Sequence, residues 1–337
     1  MTITSREIQL ASRPVGMPQP ENFKLASVEL PAPGDGEVLV KNLWMSVDPY
    51  MRGRMIDRKS YVPPFQIGKA LEGHAVGKVA ASNNPDFAEG DLVLSMNGWR
   101  EAFVSDGKGL QKLETFGLPE QAFLGVAGMP GLTAYAGLLR ILEPKEGETI
   151  FVSGAAGAVG SLVCQIAKIK GCRVVGSVGS KEKGEWLKSL GVDEVILYKD
   201  HADQQSLMKA LKAAAPKGVD MYFENVGGDH LVAALDAMRD FGRIAVCGMI
   251  SGYNDTEPTP GPWNLFNIIG KRLKVQGFIV SDHQDMLGDF VRDLAEWVPA
   301  GKVQWQETVE DGIENAPAAF LKLFTGGNTG KMLVKLS

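Results

Sequence analysis

Short apolar runs alternate with helix-like segments from residue 149 to residue 248, and this alternation limits the possible folds most strongly. The helix-like segments carry apolar residues at a 3.6-residue period, whereas the short runs have the length and composition of buried strands. Strands joined through helices predict a parallel sheet with helices on both faces, which is an α/β, doubly wound, Rossmann-type domain. The predicted strands are 149–153, 173–178, 194–198, 219–225 and 242–248, and the predicted helices are 158–170, 181–191, 204–215 and 229–238.

The first 120 residues differ from this region, because they are rich in glycine, proline and β-type runs. The runs 37–47, 74–82 and 90–96 predict strands, and no long amphipathic helix is evident among them. A separate, smaller β-rich domain is therefore expected. Near the C-terminus we predict a helix at 285–301, and the strand 331–336 could join the sheet of either domain.

The size and charge of the chain limit the number of domains and the classes of partner that it can bind. With 337 residues and 45 % hydrophobic content, it can bury the cores of two domains. The net charge of −5 and the absence of a basic run disfavour nucleic acid and anionic membranes as partners. The apolar stretch 122–139 is interrupted by glycines, which indicates buried structure rather than a membrane span. Three cysteines without a CxxC pair are typical of a reducing compartment, so we expect a cytoplasmic location.

The sequence SGAAGAVGS, residues 153–161, lies between the first predicted strand and its helix. Its glycines match a dinucleotide-binding turn, except that Ala155 takes the place of the first glycine. Gly157 would let the backbone approach a pyrophosphate, and Gly160 would let the helix pack closely on the strand. The helix N-terminus adds N–H donors and a partial positive charge. This context favours a cofactor site over a turn with only a structural role.

The residues after the second predicted strand indicate which dinucleotide binds. Enzymes that use NAD tend to place an acid about 20 residues after the turn, where it binds the ribose 2′-hydroxyl. Here Gly179 and Ser180 end the strand, and Lys181 and Lys183 follow. A carboxylate would repel a 2′-phosphate, whereas lysine and serine can bind one. NADPH is therefore preferred over NADH, and the alternative is a helix N-terminus with solvated lysines.

Motifs of several other enzyme classes are missing: the sequence has no GxSxG elbow, no GK[ST] loop and no HExxH helix. His74, in LEGHAVGKV, is similar to a zinc-ligand segment of alcohol dehydrogenases, but no cysteine precedes it. Three zinc ligands are hard to assemble, so we predict no metal and a turn or core role for His74. Hydride addition to a carbon–carbon double bond conjugated to a carbonyl needs only one or two hydrogen-bond donors, and a neutral tyrosine hydroxyl suits that role.

Six collinear blocks carry a resemblance that spans nearly the whole chain: SVDPYMRGRM, GMPGLTAYAGL, GAAGAVGSLVCQIAKIKGCRVVGSVGSKEK, FENVGG, CGMISGYN and GNTGKMLVK. The chain resembles the zinc-free medium-chain dehydrogenase/reductases, specifically the prostaglandin reductase and 2-alkenal (double-bond) reductase branch with the bacterial NADPH-dependent curcumin reductases. This resemblance implies a GroES-like substrate domain at 1–125 and a Rossmann dinucleotide-binding domain at 126–280. It also implies a C-terminal segment, 281–337, that returns to the first domain.

The resemblance implies NADPH as the cofactor and assigns residues to its site. Ala156–Val159 would contact the pyrophosphate, Lys183 would bind the 2′-phosphate, and Thr133 would lie near the nicotinamide. The implied cofactor-binding residues are Thr133, Ala156, Gly157, Ala158, Val159, Gly179, Ser180, Lys183, Tyr198, Asn225, Cys247, Gly248, Ile250, Ser251, Tyr253, Phe278, Ile279, Val280 and Asn328.

Two tyrosines are catalytic candidates by the same resemblance. Tyr253, in SGYN, matches a tyrosine placed at the substrate carbonyl, where it would orient the carbonyl or protonate the enolate. Tyr50, in VDPYMR, matches a tyrosine that lines the pocket. The alternatives are a cofactor or wall contact for Tyr253 and a core position for Tyr50. Water and a ribose hydroxyl can also donate the proton.

The implied activity is NADPH-dependent reduction of the conjugated double bond of α,β-unsaturated ketones and aldehydes, including curcumin-like or oxo-prostaglandin-like substrates. Three alternatives stay open: a quinone oxidoreductase of the same fold, a zinc-free alcohol dehydrogenase, and an NADPH-binding protein without catalysis. The loop 254–271 departs from familiar members, which leaves the substrate range open. A homodimer is expected from the family, and the run 242–248 could supply the edge strand for it.

Overall fold

The structure is a computed structural model, and it describes residues 2–337. Its strands are β1 (Ile3–Leu10), β2 (Phe23–Leu30), β3 (Val38–Ser46), β4 (Ala75–Ser82), β5 (Leu92–Ser95), β6 (Ala102–Ser105), β7 (Gln111–Lys112), β8 (Thr149–Val152), β9 (Arg173–Val178), β10 (Glu194–Leu197), β11 (Val219–Glu224), β12 (Met238–Val246), β13 (Lys274–Gly277), β14 (Glu307–Asp311) and β15 (Lys331–Lys335).

The α-helices are α1 (Met51–Arg54), α2 (Met129–Ala136), α3 (Ala158–Ile169), α4 (Lys181–Ser189), α5 (Gln204–Ala214), α6 (Gly228–Ala237), α7 (Asn267–Gly270), α8 (Leu287–Trp297) and α9 (Ala316–Thr325). A π-helical segment, Gly137–Leu142, continues α2, and a 3-10 segment, Val280–Met286, leads into α8. No helix within residues 2–337 combines the length and apolar character needed to cross a membrane.

Six parallel strands form the central sheet, in the order β10-β9-β8-β11-β12-β13. Successive residues of each strand enter different cores: Val152 and Phe223 face one side of the sheet, and Phe151 and Tyr222 face the other. Helices cover both faces, so the predicted doubly wound fold is confirmed. Because the strands are parallel, their carboxyl ends all lie at one edge.

Helix α3 shows how the sequence pattern becomes packing. Its buried side is built from Leu162, Val163, Ile166 and their neighbours, as the 3.6-residue period predicts. The helix ends after Ile169, and Gly171 follows with φ of +77°, a left-handed conformation that glycine adopts without strain. The predicted helix 229–238 begins one residue early, because Gly227 rather than Asp229 is its N-cap.

The second sheet has seven strands, with the order β14-β15-β3-β4-β5-β7 and with β6 also paired to β3. Strand β15 runs antiparallel to β3, with Leu333 opposite Ser46. The C-terminal strand therefore joins the N-terminal, β-rich domain, which the sequence left undecided. Strands β1 and β2 form an antiparallel pair of their own.

The sequence hypothesis about the edge strand is wrong. Residues 242–248 belong mostly to β12, which lies between β11 and β13 and has no free edge. The free edge on that side of the central sheet is β13. Its four residues are half-exposed to exposed, so the sequence offered little apolar signal to detect it.

The C-terminal segment divides between the two cores. Helix α8 packs Phe290, Leu294 and Trp297 into the core beside the central sheet, near Tyr135 of α2. Helix α9 instead packs into the N-terminal domain together with β15. The boundaries at 125/126 and 280/281 stay a prediction.

Candidate active site

The turn between β8 and α3 is built as the glycine pattern requires. Gly154 has φ of +58°, and the Gly157 N–H donates to the Gly154 carbonyl oxygen at 3.0 Å. A Cβ atom at Gly160 would lie 2.4 Å from that same oxygen, so only glycine fits there. No side chain within residues 2–337 caps the start of α3. Its first N–H groups are therefore available to an anion.

Alanine fits at position 155 because the neighbouring strand makes room for it. A Cβ atom at Gly176 of β9 would lie 3.1 Å from the Ala155 Cβ and 2.9 Å from Leu187 Cδ1. The Ala155 N–H donates to the Ser177 carbonyl oxygen at 3.1 Å, which holds the turn on β9. The missing glycine of the fingerprint is thus compensated by a glycine one strand away.

A pair of lysines lies at the end of β9. Ser180 caps α4, with its Oγ accepting from the Lys183 N–H at 3.4 Å. A Cβ atom at Gly179 would lie 3.0 Å from Tyr198 Oη and 3.2 Å from Lys199 Cε. The side chains of Lys183 and Lys199 approach each other here. Burial, and then the charge of Lys199, lower the pKa of Lys183. Neither lysine forms an ion pair among the described residues, so this cluster suits a phosphate.

Sequence reasoning found Gly179, Ser180, Lys183 and Tyr198 but missed Lys199. Its signal was its position directly after Tyr198, where the chain turns at the end of β10. The sequence placed Lys181 near the phosphate as well, but its ammonium instead faces Glu185 at 3.9 Å and is exposed.

The C-terminal loop 326–330 contacts both Lys183 and the turn between β8 and α3. Lys183 Nζ donates to the Gly326 carbonyl oxygen at 2.8 Å, and the Gly330 N–H donates to the Ala156 carbonyl oxygen at 2.8 Å. The predicted residue Asn328 lies between them, and its Nδ2 donates to the Gly330 carbonyl oxygen at 2.9 Å. The resemblance-based placement of Asn328 beside the cofactor turn is thus compatible with the geometry.

The carboxyl end of β11 carries a buried hydrogen-bond network centred on Glu224. Its Oε1 accepts from Ser153 Oγ at 3.0 Å and from the N–H groups of Val226 and Gly227 at 2.7 and 2.8 Å. Asn225 donates two hydrogen bonds to Ser153. Its backbone N–H donates to Ser153 Oγ at 2.9 Å, and its Nδ2 donates to the Ser153 carbonyl oxygen at 2.7 Å. Burial raises the pKa of Glu224, against these donors. The network holds Asn225, a predicted cofactor residue, in one orientation.

The loop after β12 is fastened to that network. The N–H groups of Cys247 and Gly248 donate to the Glu224 carbonyl oxygen at 3.0 and 3.1 Å. Ile250 and Ser251 donate in the same way to the carbonyl oxygens of Asn225 and Val226, at 3.2 and 2.9 Å. The segments 224–227 and 247–251, which are distant in the sequence, are therefore hydrogen-bonded to each other at the carboxyl edge of the sheet.

Tyr253 follows the segment 247–251 and is half-buried. Its hydroxyl accepts the Met249 N–H at 3.4 Å and lies 3.0 Å from the Cβ position of Gly248. The hydroxyl proton has no acceptor among residues 2–337. Burial raises the pKa of Tyr253, with a smaller contribution from Cys247, so the hydroxyl stays neutral and can donate. The same burial raises the pKa of Cys247 to about 12.

A third tyrosine, Tyr61, was not named by sequence reasoning and is 63 % exposed. Its hydroxyl contributes to the raised pKa of both Tyr50 and Tyr253. Burial is the largest cause of the raised pKa at Tyr50, followed by Asp48. Tyr61 belongs to a segment without helix or strand, and no periodic pattern marks it. The three tyrosines come from three separate stretches of chain.

The remaining predicted residues lie at the same edge of the sheet or behind it. Thr133 is buried on α2, and its hydroxyl donates to the Met129 carbonyl oxygen at 2.7 Å. Phe278, directly after β13, packs edge-on against Phe223 at 6.2 Å between ring centroids. Ile279 and Val280 continue from it, half-buried.

The surroundings of His74 hold a buried ion pair. Lys331 Nζ lies 3.0 Å from Asp48 Oδ1 and 2.9 Å from the Val47 carbonyl oxygen, and both charged side chains are almost fully buried. His74 Nδ1 is buried without a partner among the described residues, and burial lowers its pKa. Within residues 2–337, no three His, Cys, Asp or Glu side chains come together as metal ligands.

Comparisons with known families match both halves of the chain. Residues 6–113 match the family described as the N-terminal domain of oxidoreductase, and residues 158–296 match the zinc-binding dehydrogenase family. The second match begins at α3 and covers strands β9–β13 of the central sheet.

Individual relatives align over almost the full length. An NADPH-dependent curcumin reductase of Escherichia coli (strain K12) is 44 % identical over 339 residues, which cover 99 % of this chain and 97 % of the relative. Prostaglandin reductase 1 of Bos taurus is 48 % identical over 328 residues, covering 95 % and 96 %. The crystal structure of CurA in complex with NADPH, from Vibrio vulnificus, is 45 % identical, covers 98 % of this chain and 99 % of that one, and superposes with a TM-score of 0.92.

Proposed function

Because the chain belongs to the medium-chain dehydrogenase/reductases, in the branch of the prostaglandin and curcumin reductases, we propose that it reduces the conjugated carbon–carbon double bond of α,β-unsaturated ketones and aldehydes. It is an oxidoreductase that uses NADPH. The observation that supports the double-bond assignment most directly is the neutral Tyr253 hydroxyl, whose proton has no acceptor among the described residues.

The described residues fit NADPH on two counts. The uncapped start of α3, where a Cβ atom at Gly160 would meet the Gly154 oxygen, offers backbone donors to a pyrophosphate. Lys183 and Lys199 offer two ammonium groups, neither in an ion pair among the described residues, to a 2′-phosphate. Asn225, held by Ser153, and the loop around Asn328 complete the set of residues that would hold the cofactor.

NADPH, when bound, supplies the hydride that adds to the β carbon of the enone. The resulting negative charge moves to the carbonyl oxygen as an enolate. We propose that the Tyr253 hydroxyl donates a hydrogen bond to this oxygen and thereby lowers the barrier. A proton from Tyr253 or from water then reaches the α carbon, so that one hydride and one proton complete the two-electron reduction.

We assign a supporting role to the other two tyrosines. Neither Tyr50 nor Tyr61 donates its hydroxyl proton to a protein acceptor among residues 2–337. Each can donate to the carbonyl oxygen or hold a water there. Three donors around one oxygen would make the loss of any single tyrosine incomplete in its effect.

The test is NADPH oxidation by the purified protein with an apolar enone, an enal and a quinone, beside the same assays with NADH. We expect the saturated ketone as product and a clear preference for NADPH. An allylic alcohol would refute the double-bond assignment, and quinone turnover as fast as enone turnover would favour the quinone reductase alternative.

We also propose that the protein forms a homodimer through the free edge of β13. Next to this edge the large apolar side chains Trp263, Phe266 and Ile269 are exposed by 62 %, 63 % and 81 %, and Val275 of β13 itself is exposed by 42 %. Exposed apolar patches of this kind mark interaction surfaces. Light scattering of wild type and of Val275→Lys, which places a charge on the exposed edge strand, tests this. A monomeric wild type, or a variant with the same dimer mass as wild type, would refute it.

The three cysteines are unpaired in the structure. This fits the expected reducing, cytoplasmic compartment, which we keep as a proposal. Cell fractionation tests it, and recovery of the protein from an oxidising compartment would contradict it.

A further inference from the structure

A buried arginine connects the stretches of chain that carry Tyr50 and Tyr253. Arg52 lies on α1, two residues after Tyr50, and is 2 % exposed. Its Nε donates to Asn254 Oδ1 at 2.8 Å, and Asn254 directly follows Tyr253. This hydrogen bond crosses from the β-rich domain to the loop of the central sheet.

Asn254 is held in place from its other side as well. Its Nδ2 contacts Met17 Sδ at 3.1 Å, and Arg52 Nη2 donates to the neighbouring Gly16 carbonyl oxygen at 2.8 Å. Residue 16 also meets Thr256, whose Cγ2 would lie 3.3 Å from a Cβ atom at Gly16. Three segments, 16–17, 52 and 254–256, therefore converge on one guanidinium group.

This arrangement costs stability, which argues for a role beyond holding the fold together. Arg52 Nη1 is buried and has no hydrogen-bond partner among residues 2–337. A buried charged donor without a partner is unfavourable, and apolar residues of similar volume often serve stability equally well or better. Burial also lowers the pKa of Arg52.

We propose that Arg52 and Asn254 form a positioning pair that sets the separation of Tyr50 and Tyr253 across the cleft, and thereby the fit of the carbonyl oxygen between them. Neither residue touches the reacting atoms in this proposal. The pair acts through the two tyrosines, each of which is one or two residues away in the chain. The inference rests on the proposed enone reduction.

The test compares Arg52→Met and Asn254→Ala with wild type, with kcat, KM for the enone, the NADPH dissociation constant and the thermal midpoint as readouts. We expect each variant to lower kcat/KM roughly tenfold, the scale of coupled neighbouring residues, while NADPH affinity stays within about twofold. The double variant should be no worse than the poorer single one, because both remove the same link. Asn254→Asp, which keeps the acceptor for Arg52, should restore most of the activity.

Arg100→Met is the matched control. Arg100 is a half-buried arginine that donates to two backbone carbonyl oxygens, those of Gly98 and Leu71, but both lie within its own domain. It should lower the thermal midpoint without changing kcat/KM. If Arg52→Met and Asn254→Ala behave like this control, or if their effects simply add, the positioning role is refuted while enone reduction stands. Wild-type protein without enone turnover would instead overturn the proposed function and this inference with it.

Discussion

The cofactor side and the tyrosine side of the cleft are built on different principles. The cofactor side is assembled mainly from consecutive strand–turn–helix units, so that Gly157 and Lys183 follow neighbouring strands of one sheet. The tyrosine side draws Tyr50, Tyr61 and Tyr253 from separate stretches, and the Arg52–Asn254 hydrogen bond joins the stretches of Tyr50 and Tyr253. The first side depends on backbone geometry and the second on side chains that meet only in the folded chain.

The largest predicted effect is a difference in stability between variants of Gly160 and of Gly157, two glycines of the turn. Gly160→Val would place a Cβ atom 2.4 Å from the Gly154 oxygen. We expect this variant to lose about 3 kcal/mol of its unfolding free energy and to lose NADPH binding as well. Gly157→Ala meets only that oxygen, at 3.2 Å, and should stay folded but bind NADPH more weakly. Denaturant unfolding and NADPH titration measure both, and equal stability of the two variants would contradict this distinction.

The next effect concerns the phosphate cluster. Lys183→Ala should raise the NADPH dissociation constant at least about tenfold, because a charge-assisted hydrogen bond is lost. Lys199→Ala, at an exposed position, should raise it about threefold. NADH affinity should change in neither variant, which serves as the internal control. Equal losses for both cofactors would mean that these lysines do not bind the 2′-phosphate.

Removing the Tyr253 hydroxyl should affect catalysis and leave the cofactor side intact. For Tyr253→Phe we expect kcat to fall roughly tenfold, less than the roughly 10²-fold loss from a sole oxyanion donor, because Tyr50 and Tyr61 stay in place. NADPH affinity should not change. Because the pKa of Tyr253 is raised above its ordinary value, the hydroxyl is neutral throughout the neutral range, and this donor should be lost only at strongly alkaline pH. A pH–rate profile with a loss near neutrality in wild type alone would argue against this role.

The smallest effect is predicted for Glu224→Gln, which retains an oxygen for the Val226 and Gly227 N–H groups. We expect stability within roughly 1 kcal/mol of wild type, whereas Glu224→Leu leaves both donors unpaired and costs more. Because the folded-state pKa of Glu224 is raised, its contribution is complete below the unfolded pKa and declines as pH rises through the folded pKa. In the glutamine variant the unfolding free energy should lack this decline with pH. If wild type and the glutamine variant show the same pH dependence, Glu224 is not its source.

The accuracy of the sequence predictions follows the same division. Periodicity predicted the strands from Thr149 to Val246, because its signal is local. The phosphate-binding role of Lys183 stays a prediction. Tyr61 and the link from Arg52 to Asn254 carry no local signal, since each depends on which distant segments pack together. The edge position of β13 was missed for a related reason, because four half-exposed residues contain no strand-like pattern.

The placement of β15 has a consequence for the order in which the chain can fold during synthesis. Strands β8–β13 are contiguous in sequence, so the central sheet can close as soon as they emerge from the ribosome. Strand β3 emerges earlier but waits for β15, and 284 residues separate Val47 from its hydrogen-bond partner Lys331. Until then residues 44–46 of β3 have an unpaired edge, which is the kind of surface that recruits chaperones or wrong partners. The buried Lys331–Asp48 pair therefore forms only when the β-rich domain receives its last strand.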